Sequence, residues 1–251
     1  MNKIELIPIL GLPEFDAGMN IGELIASKIE LSAGDILVIA QKIVSKSEGR
    51  IVEYKNVVPS QYALTLSKKL NKDPRKIEVI LNETSKIIRA EKTAEKKEGV
   101  LICRHRLGFI CANAGVDESN VGGANRCLLL PENPDKSAKN IRTYISERIG
   151  IDIGVVITDT FGRPWRLGLT NIAIGSSGVS VIKDLRGKKD SSGRILTGTV
   201  IAVVDELAAS AGLVMGKLNR VPAVLIRGFK SEKEIGNISD ILRKEEEDLF
   251  L

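Results

Sequence analysis

The stretch GVVITDTFGRPWR, residues 154–166, decides how the rest of the chain is read. Gly154 to Thr158 are apolar or β-branched, the pattern of a strand buried on both faces. Such strands belong to sheets flanked by helices, which makes the chain α/β or mixed α+β. An acid and a hydroxyl, Asp159 and Thr160, follow at once, and in such sheets ligands gather at the carboxyl ends of strands. An Asp beside a hydroxyl suits a hard, oxygen-seeking cation such as Mg²⁺. Gly162, Arg163, Pro164, Trp165 and Arg166 then read as a rigid turn with two guanidinium forks for phosphate or carboxylate. A strand-ending Asp that caps a turn, flanked by surface arginines, fits the same letters.

A second acid lies in CANAGVDESNVGG, residues 111–123, a small-residued segment that cannot pack a core. It carries Asp117 and, three residues on, the amide of Asn120. Small side chains there let a metal ion or a ligand's phosphates approach the backbone; a plain loop is the other reading. In ILVIAQKIVSKSEGR, residues 36–50, an apolar strand runs into Gln41, Lys42, Ser45 and Lys46. Lysines four apart meet a polyphosphate as point charges, or form a solvated basic edge. In MGKLNRVPAVLIRG, residues 215–228, a helix ends near Gly216 and a basic loop leads into a strand. Gly11, Leu12 and Pro13 close the first strand with a tight turn that could lie under a flat ring.

Composition narrows the function classes. With 251 residues, 43% hydrophobic and 27% charged, the chain is an ordinary globular protein of one large or two small domains. Its net charge of +5 favours anionic partners, but 4% aromatic residues make a poor stacking platform for nucleic acid. Cys103, Cys111 and Cys127 form no CxxC pair, and His105 is the sole histidine, so a zinc site or a Ser-His or Cys-His apparatus is disfavoured. Neither GxxxxGK[ST] nor a strand-following GxGxxG is present, which leaves no P-loop and no dinucleotide fold. Few cysteines, no signal peptide and no long apolar span point to a cytoplasmic protein without a membrane anchor.

Strands are expected over 4–9, 36–40, 100–103, 109–112, 127–130, 154–158 and 223–227. Helices are expected over 21–29, 60–70, 74–89, 137–149, 200–215 and 231–249. Asp73 and Pro74 make a start signal, and Gly150 and Gly216 make stops. The glycines of 174–178 read as a loop, and 182–196 as a flap or excursion on one intimately joined body.

VSKSEGR, NAGVDESNV, ITDTFGRPWR, KDLRGKKDSSGR, VDELA with MGK, and VPAVLIRG together identify a resemblance. From Gly11 to Gly228 the chain resembles the coenzyme F420:L-glutamate ligases. The resemblance implies an unusual α/β fold, an intertwined homodimer, and a single ligase domain over 1–251, of two close-packed subdomains and without a fused nitroreductase-like domain. It implies GTP-dependent joining of L-glutamate to coenzyme F420-0 through an acyl phosphate, with further γ-linked additions to follow. It also implies Mg²⁺ or Mn²⁺, one or two per subunit, with K⁺ as an additional cation. Asp117 and Asp159 would be the metal ligands, with Thr160 beside a second cation. Leu12, Pro13, Glu14, Phe15, Gln41, Lys42 and Lys46 would line the nucleotide and its phosphates, with Asn120, Met215, Gly216 and Lys217 completing its site. Arg163 and Lys46 are the catalytic candidates.

One position departs from the pattern. Where archaeal members carry an acid two residues after the Met of the MG motif, this chain has Lys217. A cation about 4 Å from a metal costs on the order of 4 kcal/mol per unit charge at an effective dielectric near 20. A one-metal-plus-lysine arrangement is therefore expected. The competing readings are a related amino-acid ligase with another acceptor or nucleotide, and a non-catalytic binder of nucleotide or F420.

Overall fold

The computed structural model describes residues 3–95, 97–232 and 236–249. In chain order the elements are β1 (Glu5–Pro8), α1 (Ile21–Ala26), β2 (Ile36–Ala40), α2 (Gln41–Ser47), β3 (Ile51–Glu53), α3 (Gln61–Leu70), α4 (Pro74–Asn82), β4 (Thr84–Glu91) and β5 (Val100–His105). There follow β6 (Ile110–Ala112), β7 (Arg126–Leu128), α5 (Pro134–Ile149), β8 (Gly154–Arg163), β9 (Arg166–Ser177), β10 (Lys183–Asp184), β11 (Val200–Ile201), α6 (Val203–Met215) and β12 (Ala223–Arg227). The fold is mixed α/β, as expected. No described helix is long and apolar enough to cross a membrane.

The main sheet has the order β1-β12-β2-β8-β9. Its two most apolar strands, β2 and β8, lie side by side and parallel, from Ile36 opposite Gly154 to Ala40 opposite Thr158. Leu37, Val38, Ile39, Val155, Val156 and Ile157 are buried on both faces, as their continuous apolar letters require. Helices α5 and α6 pack against this sheet. A second hydrophobic core gathers under α3, α4 and the β4-β5-β6 sheet, with Leu66, Leu70, Ile77, Ile80, Leu101 and Cys103 inside it. Side-chain caps start the helices there: Ser60 accepts the Ala63 amide, and Asp73 that of Arg75, with Pro74 at the first helical position.

Two contacts tie the β4-β5-β6 sheet to the main core. Phe109, in the β5–β6 turn, meets Phe161 of β8 edge to face at 6.3 Å. Beside it Glu83 collects three donors: Arg50 at 3.1 and 3.2 Å, Arg106 at 3.1 Å and His105 Nε2 at 3.1 Å. His105 Nδ1 accepts the Leu107 amide, so Nε2 carries the hydrogen and donates to Glu83. The lone histidine is a strut. Arg50 and Arg106 also reach Glu132, at 2.9 and 3.2 Å, which ties this cluster to the entrance of α5.

Several expected elements differ. The helix expected over 74–89 stops at Asn82, and Thr84–Glu91 is a strand, because its Thr and Ile residues suit a pleated surface. Residues 162–166 are the tip of a long hairpin rather than an isolated turn, and β9 continues from it to Ser177, taking in most of 174–178, which reads as a loop in sequence. Gly175 lies in that buried strand because a Cβ there would meet Pro134 at 2.5 Å. Gln41–Ser47, which read as the polar end of a strand, is a helix. The flap over 182–196 carries β10, paired with β11. Of the helix expected over 231–249, residues 233–235 lie outside the described residues, and the rest holds two short 3₁₀ turns, Ile238–Ile241 and Glu245–Glu247.

Burial alone would raise the Glu83 carboxyl, but His105, Arg50 and Arg106 outweigh it and hold it at about 2. That depressed value contributes stability above the unfolded carboxyl range, near 4.3, which is lost as pH falls through about 2. Glu83→Ala leaves two guanidinium groups without their shared partner and should cost about 3 kcal/mol in a urea melt. Glu83→Gln should flatten the decline of melting temperature between pH 4 and pH 2 relative to the unaltered chain. A parallel decline in both proteins would refute this role.

Candidate active site

Parallel pairing of β2 and β8 sets their carboxyl ends together, so the residues after Ala40 and Thr158 share one edge of the sheet. There lies a small cleft of about 160 Å³. Gln41, Lys42, Asn120, Asp159, Thr160, Met215, Gly216 and Lys217 line it, and these are eight of the sequence candidates. Asp117 arrives from the second core. Its backbone is bridged to Leu128 in both directions, at 3.1 and 2.8 Å, and its carboxylate meets Lys42 Nζ at 2.7 Å. Two acids far apart in sequence thus approach one cleft, Asp159 in its lining and Asp117 through Lys42.

The geometry around Asp117 explains the small residues before it. Asn113, Ala114 and Gly115 all adopt positive φ, at 53°, 47° and 69°. For Ala114 that left-handed turn costs on the order of 1–2 kcal/mol. At Gly115 a Cβ would strike Leu130 at 2.8 Å. The small residues therefore serve a tight backbone course that delivers Asp117. Ser119 completes the delivery: its amide donates to Asp117 Oδ1 at 2.7 Å and its hydroxyl to Oδ2 at 3.0 Å. Lys42 Nζ also donates to the Ser119 hydroxyl, at 2.5 Å.

The two carboxyls are pushed in opposite directions. Burial opposes ionisation of Asp117, but hydrogen bonds from Lys42 and Ser119 outweigh it and keep the group below its ordinary range. Asp159 is raised to about 6, first by burial and then by the charge of Asp117, with the Thr160 amide, Lys217 and Lys42 offsetting only part. By surface it is only partly covered, yet protein surrounds its carboxylate almost completely, and the desolvation follows from that surrounding. Of the pair, Asp159 is the one left electrostatically unsatisfied. The pair's chemistry fits a hard divalent ion: two carboxylates and neighbouring hydroxyls, all oxygen donors. Among the described residues no group of three or more His, Cys, Asp or Glu converges, so such an ion would keep water or substrate oxygens.

The rest of the candidates fall into two groups. Glu14 reaches the cleft's rim, with Lys46 at 3.3 Å and Arg220 at 3.5 Å. Phe15 instead packs in the main core and Leu12 leans against that core, so neither side chain faces the cleft. Pro13 is exposed beside them. Arg163 lies four residues beyond Asp159, about 13 Å along an extended strand, and bonds the Leu167 carbonyl at the hairpin tip. Sequence reading missed Asn171, Ser119 and Arg220. Asn171 comes from β9, which had read partly as a loop, and accepts from the Thr160 hydroxyl at 3.0 Å. Cys111 feels the charge of Asp159, but burial pushes its thiol up to about 12, so it is no nucleophile.

Because the Asp159 value is raised on folding, the sign for stability is negative: its ionised form costs stability, fully so above about pH 6 and not at all below the unfolded value near 3.9. Asp159→Asn should therefore melt several degrees higher than the unaltered chain at pH 7.5 and within a degree or two of it at pH 3.5. Equal melting temperatures at pH 7.5 would contradict this account of the site.

A comparison with known proteins bears on what such a cleft does. Residues 10–228 match the family model described as F420-0:Gamma-glutamyl ligase. The chain is 46% identical over 218 residues to the coenzyme F420:L-glutamate ligase of Methanopyrus kandleri, spanning 86% of this chain and 84% of that one. Against the protein of the same name from Methanocaldococcus jannaschii it is 42% identical over 251 residues, with 99% and 97% covered. The Archaeoglobus fulgidus counterpart is 38% identical over 249 residues, with 99% and 96% covered. Spanned by the family pattern from the first turn to the last strand, the chain belongs to the F420-0:gamma-glutamyl ligase family, ligases that form a carbon–nitrogen bond.

Proposed function

We propose that this chain joins L-glutamate to coenzyme F420-0 at the expense of GTP. Family membership and the names of its relatives support the acceptor and the amino acid. The observation that carries the reading is the convergence of Asp117 and Asp159 on a cleft lined by Lys42 and Lys217. A cleft of about 160 Å³ is below the size of a nucleotide pocket, so it suits a phosphoryl group, with the nucleoside outside its mouth.

The reaction needs no histidine. An acceptor carboxylate oxygen attacks the γ-phosphorus, a P–O bond forms, and the bond to the β,γ-bridging oxygen breaks to release GDP. The amine of glutamate then attacks the acyl carbon; the C–N bond forms, the C–O bond to phosphate breaks, and the amine's proton passes to solvent. Charge on the phosphoryl oxygens is what the protein must stabilise. Lys42 and Lys46 supply fixed positive charge, Gln41 and Asn120 orient polar atoms, and Asp117 and Asp159 would hold the Mg²⁺ or Mn²⁺ that neutralises phosphate charge. Gly216 and Met215 shape the wall beside Lys217. Arg163, outside its own chain's cleft, would meet substrate carboxylate from the hairpin arm. K⁺ and repeated γ-linked additions are part of the same reading.

A homodimer belongs to it too. The hairpin arm projects Leu167 and Leu169, 100% and 66% exposed, and a second copy is the cover we propose for them. The cytoplasm is the proposed compartment, in keeping with three free cysteines. Leu167→Asp should convert a dimer to a monomer in sedimentation velocity; a monomeric unaltered chain would remove the dimer from the proposal.

The direct test is phosphate release from GTP with Mn²⁺, L-glutamate and F420-0, with product mass read alongside. A gain of one or more glutamates that requires both acceptor and metal is expected. Asp117→Asn and Asp159→Asn should each lower turnover by about a hundredfold or more. Turnover only with ATP or another carboxylate acceptor would replace the substrate assignment, and nucleotide binding without any turnover would replace the ligase with a binder.

A further inference from the structure

Lys217 follows the end of α6, past Gly216 at φ 56°, and its Nζ lies 2.5 Å from the Thr160 hydroxyl. That hydroxyl donates its one hydrogen to Asn171 Oδ1 at 3.0 Å, and Asn171 in turn reaches Met215 Sδ at 3.6 Å. The ammonium donates to Thr160 and the hydroxyl donates onward, which leaves one lone pair on the oxygen, directly beside the ammonium. A second divalent ion on the same oxygen would stand within a few ångström of a full positive charge, where repulsion is strong. Nor is there a carboxylate to hold it: among the described residues no acidic group beyond Asp117 and Asp159 completes a cluster here. The loop after Lys217 is braced at Arg220, which meets Glu14 across the rim at 3.5 Å. Lys42 stands on the opposite side, on Asp117. The cleft thus sets one ammonium beside each acidic strand end.

We infer that Lys217 is a further catalytic residue, its ammonium held by Thr160 as the second positive charge over the transferring phosphoryl group, in a chain that takes up one divalent ion and not two. The inference rests on the nucleotide and metal reading above. It gives Thr160 a new part: its hydroxyl is the perch of Lys217 rather than a metal ligand. Asn171 is then a positioning residue, because it aims that hydroxyl.

The experiment counts Mn²⁺ by electron paramagnetic resonance in the full chain with a non-hydrolysable GTP analogue. One ion per chain is expected in the unaltered protein, and two in Lys217→Glu, whose carboxylate replaces the ammonium. Thr160→Val should keep Mn²⁺ affinity within about threefold, since only a metal ligand's loss costs tenfold or more. In single-turnover GTP cleavage Lys217→Ala should be slower by about a hundredfold, with Lys217→Arg recovering part of the rate. Lys217 is exposed, so Lys217→Ala and Lys217→Arg should melt within a few degrees of the parent. Two ions in the unaltered chain, or full transfer rate in Lys217→Ala, would overturn the inference and leave the ligase reading standing. No Mn²⁺ uptake with the nucleotide would overturn the nucleotide and metal reading, and this inference with it.

Discussion

The structure depends on one buried carboxylate. Glu83 closes α4 and takes hydrogen bonds from Arg50, His105 and Arg106, while Arg50 and Arg106 continue to Glu132. These residues come from both sides of the seam between the main sheet and the second core. An apolar seam would be as stable or more so, since paired buried charges rarely exceed their desolvation cost. What a charged seam adds is register: guanidinium forks accept a carboxylate in few geometries, so the two cores lock in one relation. The cleft needs that lock, because Asp159 belongs to one core and Asp117 to the other.

The same constraint explains why presenting the site's acidic groups costs the fold stability. Asp159 is raised to about 6 by burial and by the charge of Asp117. The chain before Asp117 turns left-handed through Ala114, at a residue type that resists it. Both features cost stability and neither improves the core. Strain and unsatisfied charge concentrate where a fold must present groups to a ligand rather than to itself. That distribution, within a family of ligases, is a physical argument for the site proposed above.

Much of this was legible in the letters, for identifiable reasons. Continuous apolar runs do mark buried parallel strands, so β2 and β8 were visible, and with them the edge at which Lys42, Asp159 and Thr160 gather. Caps and a glycine stop bounded α3 and α5 to within a few residues and fixed the start of α4, though not its end. What failed had two causes. Gly175 and its neighbours were read as loop because glycine usually interrupts, whereas here Pro134 of α5 presses on the strand and leaves no space for a side chain. With that strand hidden, Asn171 was hidden too. Phe15 packs in the main core and Arg163 lies four residues of extended chain beyond Asp159, so neither lines its own chain's cleft.

Charge balance gives the last step. Asp117 and Asp159 together bring −2, and Lys42 and Lys217 together bring +2, so the inner cleft is neutral when all four groups are ionised. The proposed triphosphate with one divalent ion would add net negative charge, and Lys46 and Arg220, both paired with Glu14 at the rim, are the nearest cations to meet it. A second divalent ion would instead give the inner cleft excess positive charge beside Lys217, without a carboxylate to offset it. In a confined site of low effective dielectric, an unbalanced charge is more costly than a missing contact. Lys42 and Lys217 thus offset part of what raises the Asp159 carboxyl, which at about 6 is largely ionised at neutral pH, the form the proposed ion would need.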